Sequence, residues 1–165
     1  MVDTVVMATH ADTALGLLAD ADDAEREALS GFTYSVNRAV LHTDVGVLPA
    51  NRRAWAAWNC DLTDCRDISA PVSMTYDVTR LQDLGGDGRF CVTLNGSETP
   101  RSNVLADLTY THPVLDRRAV AAQARVRALN GRRHTYFCGA HLRYGFHEDG
   151  IVSALDVAAH FGAAL

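Results

Sequence analysis

Lysine is absent from this chain of 165 residues, and all 15 of its basic side chains are arginines. The arginines are scattered among 20 acidic residues, so the formal net charge is −5 and no stretch forms a basic stripe. Proteins that bind nucleic acids usually carry such a stripe, because it neutralises the phosphate backbone. The composition therefore argues against a nucleic-acid-binding protein.

Long apolar runs are also missing, since no segment approaches the roughly 20 apolar residues of a membrane-spanning helix. The first residues, MVDTVVMATH, carry neither the basic region nor the apolar run of a secretory signal peptide. We therefore expect a cytoplasmic protein without a transmembrane segment. A peripheral contact with lipid remains open.

Cysteines are few and form no C-x-x-C pair, so they match no common zinc-binding frame and we expect reduced thiols. Three His-x-Asp pairs carry side chains that ligate metals, but the pairs lie far apart along the chain. The sequence thus predicts no metal site. The four cysteines are Cys60, Cys65, Cys91 and Cys138. The three His-x-Asp pairs are His10 with Asp12, His42 with Asp44 and His147 with Asp149.

The first 30 residues have an α/β pattern. Residues 4–9, TVVMAT, form a short β-branched run without polar alternation, which predicts a strand buried on both faces of a parallel sheet. The following ADTALGLLAD has apolar positions typical of a helix. Asp22 and Glu25 have the spacing of a capping box and predict a second helix that ends at Leu29.

The middle of the chain, residues 31–112, is predicted to be mostly sheet, because β-branched and aromatic runs alternate with turn sequences. Strands are expected in FTYSVNRAVLHTD, RRAWAAWNCDL, PVSMTYDVT, RFCVTLN and VLADLTYTH. Turns are expected in VGVLPAN, GGDG and NGSETP.

The last segment, residues 113–165, returns to a helical pattern. Asp116 is expected to cap a helix that stops at Asn130 and Gly131. A short strand in HTYFCG, a loop and a helix over about 151–161 follow.

The three segments together predict an α/β protein, α+β in this chain. Segments 1–30 and 113–165 are expected to belong to one α/β layer. The mostly β segment 31–112 is expected to be inserted between them.

The string GFHEDG is a candidate for ligand binding because it precedes a helix rich in small residues. Gly150 allows a close backbone approach, helix amides attract electron-rich groups, and Glu148 or Asp149 can accept from sugar hydroxyls. The alternative is a solvated acidic loop that caps the helix. Both interpretations stay open from these residues alone.

Trp55 and Trp58 in RAWAAWN are candidates for the wall of an apolar substrate pocket. Packing in the protein core is the favoured alternative for both rings. The sequence contains no P-loop, no G-x-S-x-G elbow and no G-x-G-x-x-G turn.

The strings VVMATH, LHTDVGVLP, AWAAWN, TYTHP and GFHEDGIVSALDVAAHFG occur in this order over essentially the whole chain. In this the chain resembles the C-terminal part of predicted NAD/FAD-binding oxidoreductases related to flavin-containing amine oxidases and phytoene-desaturase-like enzymes. The resemblance implies segments of a Rossmann-type FAD-binding domain that flank an inserted substrate domain. It also implies a set of residues near the FAD, namely Ala8, Thr9, Gly139, Glu148, Asp149, Gly150 and Ile151.

Two departures from the family pattern limit what the resemblance implies. Ala140 stands where many amine oxidases have an acid. The G-x-G-x-x-G turn that grips the FAD pyrophosphate belongs to the N-terminal half of such enzymes and is not in this sequence. We therefore expect the chain to be a C-terminal portion that binds FAD only together with an N-terminal half and is inactive alone.

The function implied by the resemblance is an FAD-dependent oxidation, with a lipid or fatty-acyl substrate favoured over a small amine. No catalytic base is identified, and His42, Tyr144 and His147 are the candidates. One alternative is a non-enzymatic module that binds an apolar ligand or a protein partner, or that self-associates through exposed apolar surface. Another is a metal-dependent hydrolase built from the His-x-Asp pairs.

Overall fold

A computed structural model describes residues 3–62, 64, 66, 72–96 and 103–163. The chain divides into two compact units. The helical unit consists of Met1–Ser35 and His112–Leu165, and the sheet unit consists of Val36–Thr111. Cys65 and most of the turn expected in NGSETP lie outside the described residues.

The order of the elements along the chain is β1 (Val5–Met7), α1 (Ala11–Leu17), α2 (Asp23–Leu29), β2 (Thr33–His42), β3 (Trp58–Asp61), β4 (Ser73–Asp77), α3 (Val78–Leu81), β5 (Cys91–Leu94), β6 (Val104–Val114), α4 (Arg117–Leu129), β7 (Thr135–Phe137) and α5 (His147–Ala159). The fold is therefore mixed α+β, as the sequence predicts. No helix among the described residues is long and apolar enough to cross a membrane.

The predicted helix starts are confirmed for α2 and α4. The Asp22 carboxylate accepts from the Glu25 N–H at 2.8 Å, and the Glu25 carboxylate accepts from the Asp22 N–H at 2.7 Å, which completes the capping box. Asp116 accepts from the Ala119 N–H at 2.8 Å at the start of α4. Gly131, with a φ of 85°, follows the end of α4.

The strand predicted in TVVMAT is present as β1, but the prediction that it is buried on both faces is wrong. β1 pairs in parallel with β7, and the two form a two-stranded sheet among the described residues. Val5 is 39% exposed and Val6 is 46% exposed. The apolar run predicted a covered strand, whereas burial depends on neighbouring strands and layers that the run itself does not specify.

The core of the helical unit forms where α2 packs on α1 and on α4. Small residues permit this close packing, and a Cβ added to Gly31 would lie 2.4 Å from the Cβ of Ala122 on α4. The buried members of this core are Ala11, Ala14, Ala28, Leu29, Phe32, Ala119, Ala122, Val126, Leu129, Phe137 and Leu142.

The sheet unit contains β3, β4, β5, most of β2 and most of β6, in the spatial order β3-β4-β5-β2-β6. The ladders β3–β4, β4–β5 and β5–β2 are antiparallel. Two strand predictions need correction. Arg52–Ala54 forms a short 3-10 turn in place of the first part of the RRAWAAWNCDL strand, and Val78–Leu81 forms α3 beyond the end of β4. In both places a side chain, that of Asn51 or of Asp77, accepts from a backbone N–H and starts the turn.

One face of the sheet carries a buried polar row. Thr93 lies opposite Val40 in the β5–β2 ladder and opposite Thr75 in the β4–β5 ladder, and Cys91 lies opposite His42 and Asp77. Residues that lie opposite one another, and those two apart on one strand, share a face of the sheet. His42, Thr75, Asp77, Cys91 and Thr93, all of them buried, are called the polar row below.

Candidate functional site

The candidate site lies in the helical unit, where the parallel strands β1 and β7 end. Ligands of α/β proteins bind outside the carboxyl ends of parallel strands, because the loops and helix N-termini that follow the strands meet there. Ala8 and Thr9 follow β1 and are exposed. Cys138 comes directly after β7, and its N–H donates to the Met7 carbonyl at 3.1 Å. Gly139 is the next residue.

Gly139 joins this strand end to α5. Its N–H donates to the Ser153 hydroxyl at 2.8 Å, and that hydroxyl donates to the Gly150 carbonyl at 2.8 Å. Gly139 has a φ of 154°, and a Cβ added to it would lie 2.7 Å from the His141 ring and 3.7 Å from the Thr9 carbonyl oxygen. Gly139 thus lies beside Thr9, and the His141 ring leaves no room there for a side chain.

α5 begins earlier than predicted, at His147 and not near Ile151. Glu148, Asp149 and Gly150 therefore form part of the first turn of α5, and the Gly150 N–H donates to the Phe146 carbonyl at 3.2 Å. The N–H groups that precede Gly150 in this turn have no acceptor within the helix. The early start has a local cause, because the Asp149 carboxylate accepts from the Phe146 N–H at 3.0 Å and from the Tyr144 N–H at 3.2 Å. Asp149 is buried in this role.

The remaining predicted residues at this end of the chain differ in exposure. Glu148 and Ile151 are exposed on α5. Gly150 faces Ala140, and a Cβ added to Gly150 would lie 3.9 Å from the Ala140 nitrogen, an ordinary contact distance. The structure therefore brings together Thr9, Gly139 and Gly150, of which Gly139 is the position that tolerates no side chain.

Two histidines at the same strand ends are not among the residues predicted near FAD, although His10 belongs to one of the His-x-Asp pairs. The His10 ring stacks on Tyr34 with centroids 4.6 Å apart, and the Tyr34 hydroxyl accepts from the Ala11 N–H at 2.7 Å. His141 is buried against the edge of Phe32, with ring centroids 5.0 Å apart. Burial, and to a smaller extent the nearby His10, lower the pKa of His141 to about 4. His141 is thus neutral near pH 7.

Of the candidate catalytic bases, Tyr144 and His147 belong to the helical unit and are exposed. Tyr144 lines a cavity of about 430 Å³ whose walls include Gln123 and Arg127 on α4. Gln123 donates to the carbonyls of His141 and Arg143, at 3.1 and 2.6 Å, and so fixes the loop before α5.

His42, the third candidate base, belongs to the sheet unit and both of its ring nitrogens are engaged. Its Nδ1 accepts from the Asp44 N–H at 3.1 Å, and its Nε2 lies 2.9 Å from the Thr93 hydroxyl. Burial lowers the pKa of His42, against an opposing effect of Asp44. A neutral ring with both nitrogens bonded has no lone pair for a substrate proton, so this arrangement does not suit a general base.

The sequence favours packing of both tryptophans in the core, but neither Trp55 nor Trp58 is buried there. The Trp55 Nε1–H donates to the Pro49 carbonyl at 2.6 Å, and the guanidinium groups of Arg52 and Arg89 lie 5.4 and 5.2 Å from its ring centroid. Trp58 is 61% exposed on β3 and contacts the edge of Tyr76. Trp58 therefore remains a candidate for contact with an apolar ligand, whereas Trp55 holds the loop before β3.

The cysteines that the structure describes are free thiols. Cys91 and Cys138 are buried and Cys60 is exposed. Burial raises the pKa of the Cys91 thiol to about 11. Within the described part of the chain, no group of three or more His, Cys, Asp or Glu residues is placed to hold a metal ion.

Comparison with known proteins does not identify a family for this chain. The sequence matches no protein-family model and none of the curated proteins.

Proposed function

We propose that this chain is the C-terminal portion of an FAD-dependent oxidoreductase of the amine oxidase and desaturase type. In this proposal the helical unit completes a Rossmann-type domain whose G-x-G-x-x-G turn is supplied by an N-terminal half. FAD would supply the chemistry by accepting a hydride from the substrate. The substrate class remains a lipid or fatty-acyl compound, in line with the exposed Trp58.

The observation that carries the proposal is the parallel pair β1–β7. Parallel strands normally lie inside larger sheets that are covered on both faces, yet Val5 and Val6 are partly exposed in this pair. Such a pair fits the edge of a sheet that is continued by further parallel strands. The carboxyl ends of the pair carry Thr9 and Gly139 beside α5, which is where a dinucleotide would lie in a sheet of this type.

The residues present fit a flavin at this position through their backbone. No Cβ fits at Gly139, because the His141 ring occupies that position, so this strand end presents bare backbone. The N–H groups before Gly150 in the first turn of α5 have no intrahelical acceptor. In the proposed site Ala8, Thr9 and Gly139 contact the cofactor from the strand ends. Glu148, Gly150 and Ile151 contact it from α5, while Asp149 holds the turn that precedes them.

The test is a titration with FAD, followed by flavin absorbance and fluorescence, first with the chain alone and then with the N-terminal half of a flavoenzyme from the family that the chain resembles. We expect stoichiometric binding in the mixture and none with the chain alone. The matched control is an N-terminal half whose G-x-G-x-x-G glycines are replaced by alanine, which should form the complex but lose FAD. A complex of the two intact halves that leaves FAD unbound contradicts the proposal.

A second candidate function, a module that binds a partner through apolar surface, is favoured by β6. β6 is an edge strand of the described sheet, and Leu108 and Tyr110 are exposed on one of its faces. Exposed apolar edge strands tend to associate. If this is the function, sedimentation should show that the chain associates. Leu108→Glu should abolish the association, and Thr109→Glu, on the opposite face of β6, should leave it unchanged. A monomer at high protein concentration excludes self-association as its basis.

A further inference from the structure

The polar row of the sheet unit contains a chain of hydrogen bonds whose direction is fixed at one end. The Nδ1 of His42 accepts from the Asp44 N–H, so the hydrogen of the neutral ring is on Nε2. Nε2 lies 2.9 Å from the Thr93 hydroxyl, which must therefore accept from His42. The Thr93 hydroxyl in turn lies 2.9 Å from the Thr75 hydroxyl.

One hydroxyl hydrogen in this series of hydrogen bonds has no acceptor within the series. His42, Thr93 and Thr75 bring three donor hydrogens, but the bonds among them use only two, whichever threonine donates to the other. Within the described residues neither hydroxyl makes a further hydrogen bond. Both threonines are buried, and each of their hydroxyl oxygens has a hydrogen-bond partner, so the hydrogen left over belongs to a group that is already bonded once.

The residues that carry these two hydroxyls border a cavity of the sheet unit. The cavity has a volume of about 300 Å³, and its lining consists of Gly46, Val47, Asp61, Ser73, Thr75, Thr93 and Gly96. A neighbouring cavity of about 260 Å³ shares Asp61 and Thr75 with the first. The walls therefore present threonine and serine hydroxyls and the exposed Asp61 carboxylate, beside the apolar Val47.

The wall groups select among ligand classes by what each class can donate and accept. An apolar ligand leaves the spare hydroxyl hydrogen without an acceptor. An ammonium group has donors but no acceptor, and an anion is repelled by Asp61. A hydroxyl group both accepts, here from the threonine pair, and donates, here to Asp61.

We propose that this cavity binds a small uncharged polyhydroxylated molecule, such as a cyclic polyol or a monosaccharide. The proposal rests on the sheet unit alone and is independent of flavin binding.

The test is a titration of the full chain with myo-inositol, followed by the backbone amide resonances of Gly46, Ser73 and Gly96 in NMR spectra. Cyclohexanol is the matched ligand, because it has the same ring with a single hydroxyl. We expect saturable shifts of these resonances with myo-inositol and none with cyclohexanol. Absence of saturable shifts, equal shifts with both ligands, or tighter binding of acetate than of myo-inositol overturns the proposal.

Two variants test whether myo-inositol contacts the polar groups of the cavity wall. Thr75→Val removes the outer hydroxyl and Asp61→Ala removes the carboxylate, and each should weaken myo-inositol binding about threefold to tenfold. Thr109→Val on β6 should leave binding unchanged. Asp61 is exposed, so the Asp61→Ala chain should remain folded even if Thr75→Val does not. Unchanged affinity in Asp61→Ala contradicts the proposed site.

Discussion

Replacement of Gly139 by alanine tests the geometry of the strand end that defines the candidate site. Gly139 has a φ of 154°, a conformation that residues other than glycine adopt at a cost of about 1–3 kcal/mol. The new Cβ would also lie 2.7 Å from Cε1 and Nδ1 of His141. The His141 ring is buried against Phe32 and has little room to move, so overpacking adds about 1–3 kcal/mol. We expect Gly139→Ala to lower the free energy of unfolding by about 2–6 kcal/mol.

Gly150→Ala is the matched control, since Gly150 lies in the same site but inside α5 and at a normal contact distance from Ala140. Alanine favours helix by about 1 kcal/mol over glycine, so this variant should be slightly more stable than the parent. The assay is urea denaturation followed by circular dichroism. The double variant Gly139→Ala with His141→Ala should recover the overpacking cost but not the backbone cost.

Three results would refute the reasoning about Gly139. A cost below about 1 kcal/mol for Gly139→Ala would show that the strand end adapts to a side chain. Equal effects of Gly139→Ala and Gly150→Ala would show that the two glycines are equivalent. Strict additivity with His141→Ala would show that the ring does not restrict this position.

Other predictions concern titration and reactivity. Because the pKa of His141 is about 4 in the folded chain, against the ordinary histidine value of 6.5, the unfolded state binds more protons between these values. Stability should therefore fall by about 3 kcal/mol as the pH falls from 6.5 to 4, and unfolding titrations of His141→Phe should lack this component. The ¹⁵N spectrum of His42 should show the Nε2–H tautomer, with a titration below the ordinary histidine pKa; an Nδ1–H ring would overturn the direction assigned to its hydrogen bonds. Iodoacetamide should label Cys60 and spare Cys91, and mass spectrometry of the labelled peptides checks this.

The helices could be predicted from the sequence because their ends are specified locally. Asp22 and Asp116 each bond to an amide three residues on, so the signal and the contact lie within one turn. The start of α5 carries a signal of the same kind, although the predicted start is wrong. The prediction places Asp149 in a loop, whereas an acid three residues after Phe146 also has the spacing of a helix cap.

The polar row could not be predicted, because it depends on strand register. Thr75, Thr93 and His42 are far apart in sequence and meet only through the β4–β5 and β5–β2 ladders. The burial of His141 had no local signal either, since it follows from Phe32 packing on its ring. The exposure of β1 likewise depends on which strands flank it, and an apolar run does not encode this.

The two acids at the start of α5 have different capacities for a ligand, and this separates their roles in the proposed flavin site. The Asp149 Oδ2 already accepts from two amides, and Arg143 lies 3.7 Å from Oδ1, so Asp149 has little capacity left for a cofactor hydroxyl. Glu148 is exposed beside it and free to accept. We therefore expect Asp149→Ala to lower the free energy of unfolding by about 1–2 kcal/mol, because it removes the helix cap.

Glu148→Gln should leave stability unchanged and weaken FAD binding in the reconstituted mixture by about threefold to tenfold. Urea denaturation of each variant and the FAD titration of each mixture give the two readouts. If Asp149→Ala weakens FAD binding at full stability while Glu148→Gln does not, then Asp149 contacts the cofactor, and the first turn of α5 must rearrange when the flavin binds.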